Sequence, residues 1–158
     1  FKDLMDVNYM GAVYCVQSAL PHLKKNRGLI AQMSTAQALM GFPHHAGYAA
    51  SKHALHGYFE SLRAEIHQYN IKVTIICPGR IKTNISINAL TKDGSEHSLM
   101  DQGQATGVSA DKCARSIINA ISKGKKEAII GGKEVFLVYL RRFFPSLFYK
   151  IILKTKPT

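Results

Sequence analysis

Acid is scarce in this 158-residue sequence: ten Asp and Glu stand against twenty-one Lys and Arg, leaving a net charge of +11. The imbalance grows along the chain. From Lys123 onward nine basic residues face only Glu127 and Glu134, and no acid follows Glu134. Such a tail could meet an anionic membrane surface, a nucleic acid or simply water. No recognisable nucleic-acid module accompanies the charge, so nucleic acid is not expected as a partner.

Cysteine is equally sparse. Cys15, Cys77 and Cys113 are odd in number and share no C-x-x-C spacing, which excludes a disulfide framework and a cysteine-based zinc site. They are expected to be reduced core thiols in a reducing compartment, which makes the cytoplasm the expected location. Long apolar runs are missing from the tail as well. Its longest uncharged stretch is seven residues, Phe143 to Tyr149, and Pro145 interrupts it. Spanning a bilayer takes about 20. The sequence contains neither internal repeats nor low-complexity tracts, and no signal-peptide pattern opens it.

What is present is the composition of one globular domain, 46% apolar and 20% charged. It opens at Phe1, with helical sequence from the start, as expected for a piece of a longer protein. Residues 1 to 25 carry apolar side chains at helical spacing (Leu4, Met5, Tyr9, Ala12, Val13, Val16, Leu20, Leu23). Pro21 should reset the last turn, and Arg27-Gly28 should close the helix. "GLIAQMS" reads as a strand buried on both faces. Residues 35 to 47 form a loop, and residues 47 to 68 a long amphipathic helix. "KVTIIC" is a second buried strand, stopped by Pro78-Gly79. Residues 84 to 108 are polar and aperiodic. "SADKCARSIINAISKG" is a helix with Ser109 as its cap, and "EAIIG" a third strand. Alternating helices and buried strands predict a parallel α/β sheet. Three strands alone make a thin sheet, so preceding βαβ units are expected to be absent from this chain.

In such a sheet, ligands bind at the carboxyl ends of the strands. Ser34-Thr35 ends the first strand and Pro78-Gly79 the second. Between them in sequence lies "YAASK", which stacks the phenol of Tyr48 and the ammonium of Lys52 one helical turn apart. The spacing alone is expected about once by chance in a chain of this composition; its position between two strand ends raises its weight. A phenol titrates near ~10, too high for base work at neutral pH, and a cation one turn away should lower that value.

These segments, "DVNYMG", "PHLKKNRGLI", "GYAASKHALHGYFESLRAE" and "CPGRIKTNI", together resemble the short-chain dehydrogenase/reductase family, over essentially the whole chain as that family's C-terminal half. "SKHALHGYFESLRAE" and "CPGRIKTNIS" fall nearest the subgroup around 11β-hydroxysteroid dehydrogenase and dehydrogenase/reductase member seven. The resemblance implies a Rossmann-like, doubly wound parallel sheet, with the glycine-rich-loop half outside this chain. It implies NAD(P)-dependent interconversion of a carbonyl and an alcohol, with NADP(H) favoured over NAD(H). Carried over by motif, Asn8, Thr35, Tyr48 and Lys52 are the catalytic set. Tyr48 is the acid/base and Lys52 its partner; Asn8 holds a water that links Lys52 to solvent. Thr35 stands where the family usually has serine, keeping the hydroxyl but crowding the pocket with a methyl. Ser34 cannot replace it, because neighbours on a strand face opposite sides.

Tyr48, Lys52, Pro78, Gly79, Ile81 and Thr83 are the implied nicotinamide contacts, and Thr35 and Tyr48 the implied substrate contacts. Residues 1–132 would be the C-terminal half of the Rossmann domain, with a substrate lid at about 84–108. Residues 133–158 would form a basic aromatic tail that caps the pocket, packs on a partner subunit or lies in a membrane interface. Helices 1–25 and 47–68 would supply a homodimer interface. The substrate is expected to be a lipophilic small molecule. His44 and His45 could touch it. His53, His56 and His67 share no evident ligand set, so no metal is expected. A non-catalytic membrane- or protein-binding remnant is the alternative.

Overall fold

The computed structural model describes residues 1–84, 87 and 102–155. Most of the expected lid and the last three tail residues lie outside this set. The chain opens with helix α1 (Lys2–Met5), a π-helical turn at Asp6–Met10, and helix α2 (Gly11–Asn26), which run on as one rod. Pro21 does not reset it: the residue sits exposed, and the helix continues five residues beyond it. The stop comes at Arg27, whose left-handed backbone (φ 50°) sends its N–H back to the Leu23 carbonyl.

Strand β1 (Leu29–Met33) follows, then a 3₁₀ turn at Ala36–Ala38 and helix α3 (Ala46–Glu65). Strand β2 (Lys72–Pro78) is rich in β-branched residues and occupies the middle of a parallel three-stranded sheet. It pairs with β1 from Leu29↔Lys72 to Met33↔Ile76. On its other side it pairs with β5 (Glu127–Ile130) from Ile75↔Glu127 to Pro78↔Ile130. The central position explains why β2 is the strand buried on both faces. Val73, Ile75 and Cys77 meet α2 and α3, in a core with Val16, Leu55, Phe59 and Leu62. Ile76 points the other way, to Ala120 and Ala128. Helix α5 (Ala110–Ser122), capped by the Ser109 hydroxyl as its sequence predicts, covers that second face.

β1 departs from the expectation of burial on both faces. Of its five residues only Ile30 is buried, while Leu29, Ala31 and Met33 are exposed. It is the edge strand of the described sheet, and the face that carries Leu29, Ala31 and Met33 is not covered. Nor are all three cysteines in the core: Cys77 and Cys113 are buried, but Cys15 lies on the outer side of α2.

Strand β3 (Ile81–Lys82) pairs in parallel with β4 (Val108–Ser109), and the short helix α4 (Gln102–Ala105) precedes β4. After β5 a 3₁₀ turn (Lys133–Val135) leads into helices α6 (Phe136–Phe143) and α7 (Pro145–Ile152). One face of this pair, with Val138, Leu140, Phe148 and Ile152, packs on Ala36 and Met40, just past Thr35. The other face exposes Phe136, Phe143, Phe144 and Leu147 beside Arg141, Arg142 and Lys150.

Candidate active site

The carboxyl ends of β1 and β2 lie side by side. The ladder extends one residue past β1, with the Ser34 N–H donating to the Ile76 carbonyl at 2.7 Å. Ser34 is buried there and, as strand alternation requires, Thr35 is turned the other way. Thr35 Oγ1 donates to the Pro78 carbonyl at 3.4 Å and accepts from the Gln37 N–H at 3.4 Å, capping the 3₁₀ turn. The same hydroxyl lies close enough to the Tyr48 side chain, in the first turn of α3, to pull its phenol toward ionisation. Thr35 therefore joins both strand ends to the phenol.

Lys52 follows one turn later, its Nζ 5.8 Å from the Tyr48 ring centroid. Burial pushes the phenol of Tyr48 up, against a smaller downward pull from Thr35, and burial pushes the Lys52 ammonium down. This corrects the expectation that Lys52 lowers the phenol. Both groups are half-buried and each pays for losing water, so both shift toward their neutral forms. The phenol of Tyr48 is therefore protonated at neutral pH.

Asn8 lies in the π-helical turn and approaches α3 by another route. Its Nδ2 donates to Ser51 Oγ at 3.1 Å, and Ser51 Oγ donates to the Tyr48 carbonyl at 2.9 Å. Ser51, fully buried, is a site residue that the sequence did not single out. The signal was its place between Tyr48 and Lys52. Gly47 has a packing reason: a Cβ there would come within 2.5 Å of the Phe1 ring and 3.0 Å of Leu4, so glycine lets the first helix close on the turn that holds Tyr48.

Pro78 ends β2 and Gly79 opens the turn after it, where the Gly79 N–H donates to the Ile130 carbonyl at 2.7 Å. Ile81 is half-buried in β3; Thr83 is exposed just beyond it. His45 Nδ1 is 3.0 Å from Gln37 Oε1, whereas His44 is exposed with a left-handed backbone (φ 63°). A cavity of about 450 Å³ lies elsewhere, between β5, α5 and Tyr139; its lining includes none of Asn8, Thr35, Tyr48 or Lys52.

His56 does have a partner that spacing could not reveal. Its Nε2 is 3.1 Å from Glu127 Oε2 across 71 residues of sequence, and that hydrogen bond holds the Glu127 carboxyl below its usual range. With Glu60 these are the one group of three metal-capable side chains among the described residues. Arg63 and Arg142 also act on Glu127, so this corner is balanced by cations of the chain itself.

A family model described as short chain dehydrogenase matches residues 1–94. The chain is 40% identical over 153 residues to dehydrogenase/reductase SDR family member 7B of Xenopus laevis, covering 96% of this chain and 47% of that protein. It is 38% identical to dehydrogenase/reductase SDR family protein 7-like of Drosophila melanogaster, again covering 96% and 47%. The chain thus spans about half the length of these relatives. Among solved structures it is similar to a short chain dehydrogenase from Burkholderia cenocepacia in complex with NADP, with TM-score 0.78 and 22% identity over 96% of this chain and 58% of that one. A short chain dehydrogenase/reductase from Burkholderia phymatum in complex with NAD matches with TM-score 0.72 and 20% identity, over 98% of this chain and 59% of that one.

Proposed function

The chain belongs to the short chain dehydrogenase family, and from that membership and the geometry at the strand ends we propose that it carries the proton-transfer half of a nicotinamide-dependent oxidoreductase interconverting a carbonyl and an alcohol. The observation that carries this reading is the Thr35 hydroxyl set against the Tyr48 phenol, at the carboxyl ends of β1 and β2 with Lys52 one turn away. Two hydroxyls converging on one point are what a carbonyl oxygen needs as it gains charge.

Burial keeps Tyr48 protonated, so in the reductive direction its O–H is the donor to the substrate oxygen. As the proton leaves, the Thr35 O–H turns from the Pro78 carbonyl to the phenolate or the new alkoxide, and the ammonium of Lys52 balances the charge. Asn8 and Ser51 hold the first turn of α3 in place through the Tyr48 carbonyl. The threonine methyl narrows the pocket without removing the donor.

The residues present fit the nicotinamide end of a dinucleotide. Thr35, Tyr48 and Lys52 supply donors at the end of β1, next to the Pro78 carbonyl that Thr35 contacts. Tyr48, Lys52, Pro78, Gly79, Ile81 and Thr83 would hold that end, and the nicotinamide, when bound, supplies the hydride. NADP(H) is the preferred cofactor on family resemblance. A lipophilic substrate suits the apolar packing that α6 and α7 bring to residues 36–40. Tyr48→Phe in the full-length protein should lower NADPH-dependent turnover about 10²–10⁴-fold with an unchanged circular dichroism spectrum. Turnover retained in that variant removes Tyr48 from the reaction.

Two surfaces have proposed partners. The outer sides of α2 and α3 are offered as a homodimer interface, tested by sedimentation of the full-length protein. The exposed aromatic and basic face of α6 and α7 is offered to anionic lipid, tested by salt-sensitive binding to phosphatidylserine vesicles. No helix among the described residues is long and apolar enough to cross a membrane.

A further inference from the structure

Glu134 sits on the 3₁₀ turn after β5, and its carboxylate reaches back across the sheet end. Oε1 accepts from the Arg80 N–H at 2.8 Å and from the Gly132 N–H at 3.0 Å. The space it occupies exists because three residues around it lack side chains. A Cβ on Gly79 would lie 2.5 Å from Oε1, one on Gly131 2.7 Å from Oε1, and one on Gly132 2.8 Å from Oε2. The carboxylate therefore fills a cradle at the joined ends of β2 and β5. Backbone donors and the Arg80 charge outweigh the cost of partial burial and hold its carboxyl below the usual range, so it is ionised at neutral pH.

The cradle is connected to the proton-transfer groups through three consecutive residues. Glu134 holds the Arg80 N–H, Gly79 is tied to the Ile130 carbonyl, and the Pro78 carbonyl receives the Thr35 hydroxyl. Pro78 has no N–H of its own to fix it, so the turn is secured from the Gly79 and Arg80 side. We propose that Glu134 is a positioning residue, a latch that fixes the Pro78–Gly79–Arg80 turn and through it the placement of the Thr35 hydroxyl. The role in turnover rests on the function proposed above; the latch itself is a property of the backbone.

Both hydrogen bonds lie at the surface, where water can replace them, so loss of the carboxylate should loosen the turn without unfolding the protein. The test uses the full-length protein with Glu134→Ala and Glu134→Gln. Without cofactor, amide hydrogen exchange at Arg80 and Gly132 should accelerate at least about tenfold in Glu134→Ala and stay within about threefold of wild type in Glu134→Gln, which keeps the acceptor oxygen. With NADPH and a turned-over carbonyl substrate, Glu134→Ala should lose about 10–100-fold in kcat while the substrate KM changes less than about threefold. Glu134→Gln should recover most of that loss. Unchanged exchange at Arg80 in Glu134→Ala overturns the latch whatever the kinetics. Accelerated exchange with wild-type kcat overturns its role in positioning. A wild-type protein inactive with any nicotinamide cofactor defeats the proposed function instead, and the exchange result still decides the latch.

Discussion

Gly79→Ala is the most informative single change at the strand ends. Gly79 has a backbone that alanine can adopt, so the change would ordinarily stabilise by about 0.4–1 kcal/mol through the unfolded chain. Here the new methyl lands 2.5 Å from Glu134 Oε1, 3.3 Å from Glu134 Cδ and 3.0 Å from Val135 Cγ1. The carboxylate is the movable part and must leave, taking its hydrogen bonds to Arg80 and Gly132 with it. Charge-assisted bonds contribute about 1.5–3 kcal/mol when enclosed. At these exposed positions about 0.5–1 kcal/mol each is the appropriate figure. With residual crowding at Val135, the net cost is about 1–2 kcal/mol. In a Glu134→Ala background the main collision is already gone, so Gly79→Ala should be nearly neutral there. The double-mutant cycle should show a coupling of about 1 kcal/mol. Urea melts of the four full-length proteins, followed by circular dichroism, measure it. Additivity within about 0.3 kcal/mol would refute the cradle.

Phe59 is fully buried between α3 and the sheet. Phe59→Ala should cost about 3–5 kcal/mol, read as a fall in the urea midpoint. Ellman's reagent should modify Cys15 in the native protein while Cys77 and Cys113 wait for denaturant, since burial pushes the Cys77 thiol up to about 12. Early labelling of Cys77 would contradict its place under α3. The Glu127 carboxyl is held low chiefly by the His56 hydrogen bond. Its contribution is thus present above the ordinary glutamate range, about pH 4.3, and disappears as pH falls through the lower folded value. His56→Gln should flatten the acid limb of a melting-temperature profile between about pH 5 and pH 3; an unaltered limb would count against the pair.

The parallel sheet, the Ser109 cap and the meeting of Thr35 with Tyr48 were all legible in the sequence, because each depends on period, local chemistry or strand-end position. The departures share another cause. Whether β1 is covered on both faces depends on which elements pack over it, and Leu29 and Met33 stay exposed. The direction in which Tyr48 shifts depends on how much water the fold removes, which the Tyr-x-x-x-Lys spacing does not encode. His56 with Glu127, and Glu134 with Arg80, are pairings 71 and 54 residues apart. In the sequence Glu134 is just an acid at the start of a basic tail.

The π-helical turn at Asp6–Met10 sets a phase. The Gly11 N–H reaches back five residues to the Asp6 carbonyl, one more than an α-helix requires. Each residue of an α-helix advances about 100° around the axis. Removing Val7 would therefore let Lys2 through Asn26 wind as one regular helix, and would rotate the α1 segment by about that angle against α2. Phe1 and Leu4 would then no longer face Gly47 while Val13 and Val16 kept their places in the core. The extra residue works as an offset between two faces of one rod: the later face serves the core, and the earlier one serves the turn that carries Tyr48.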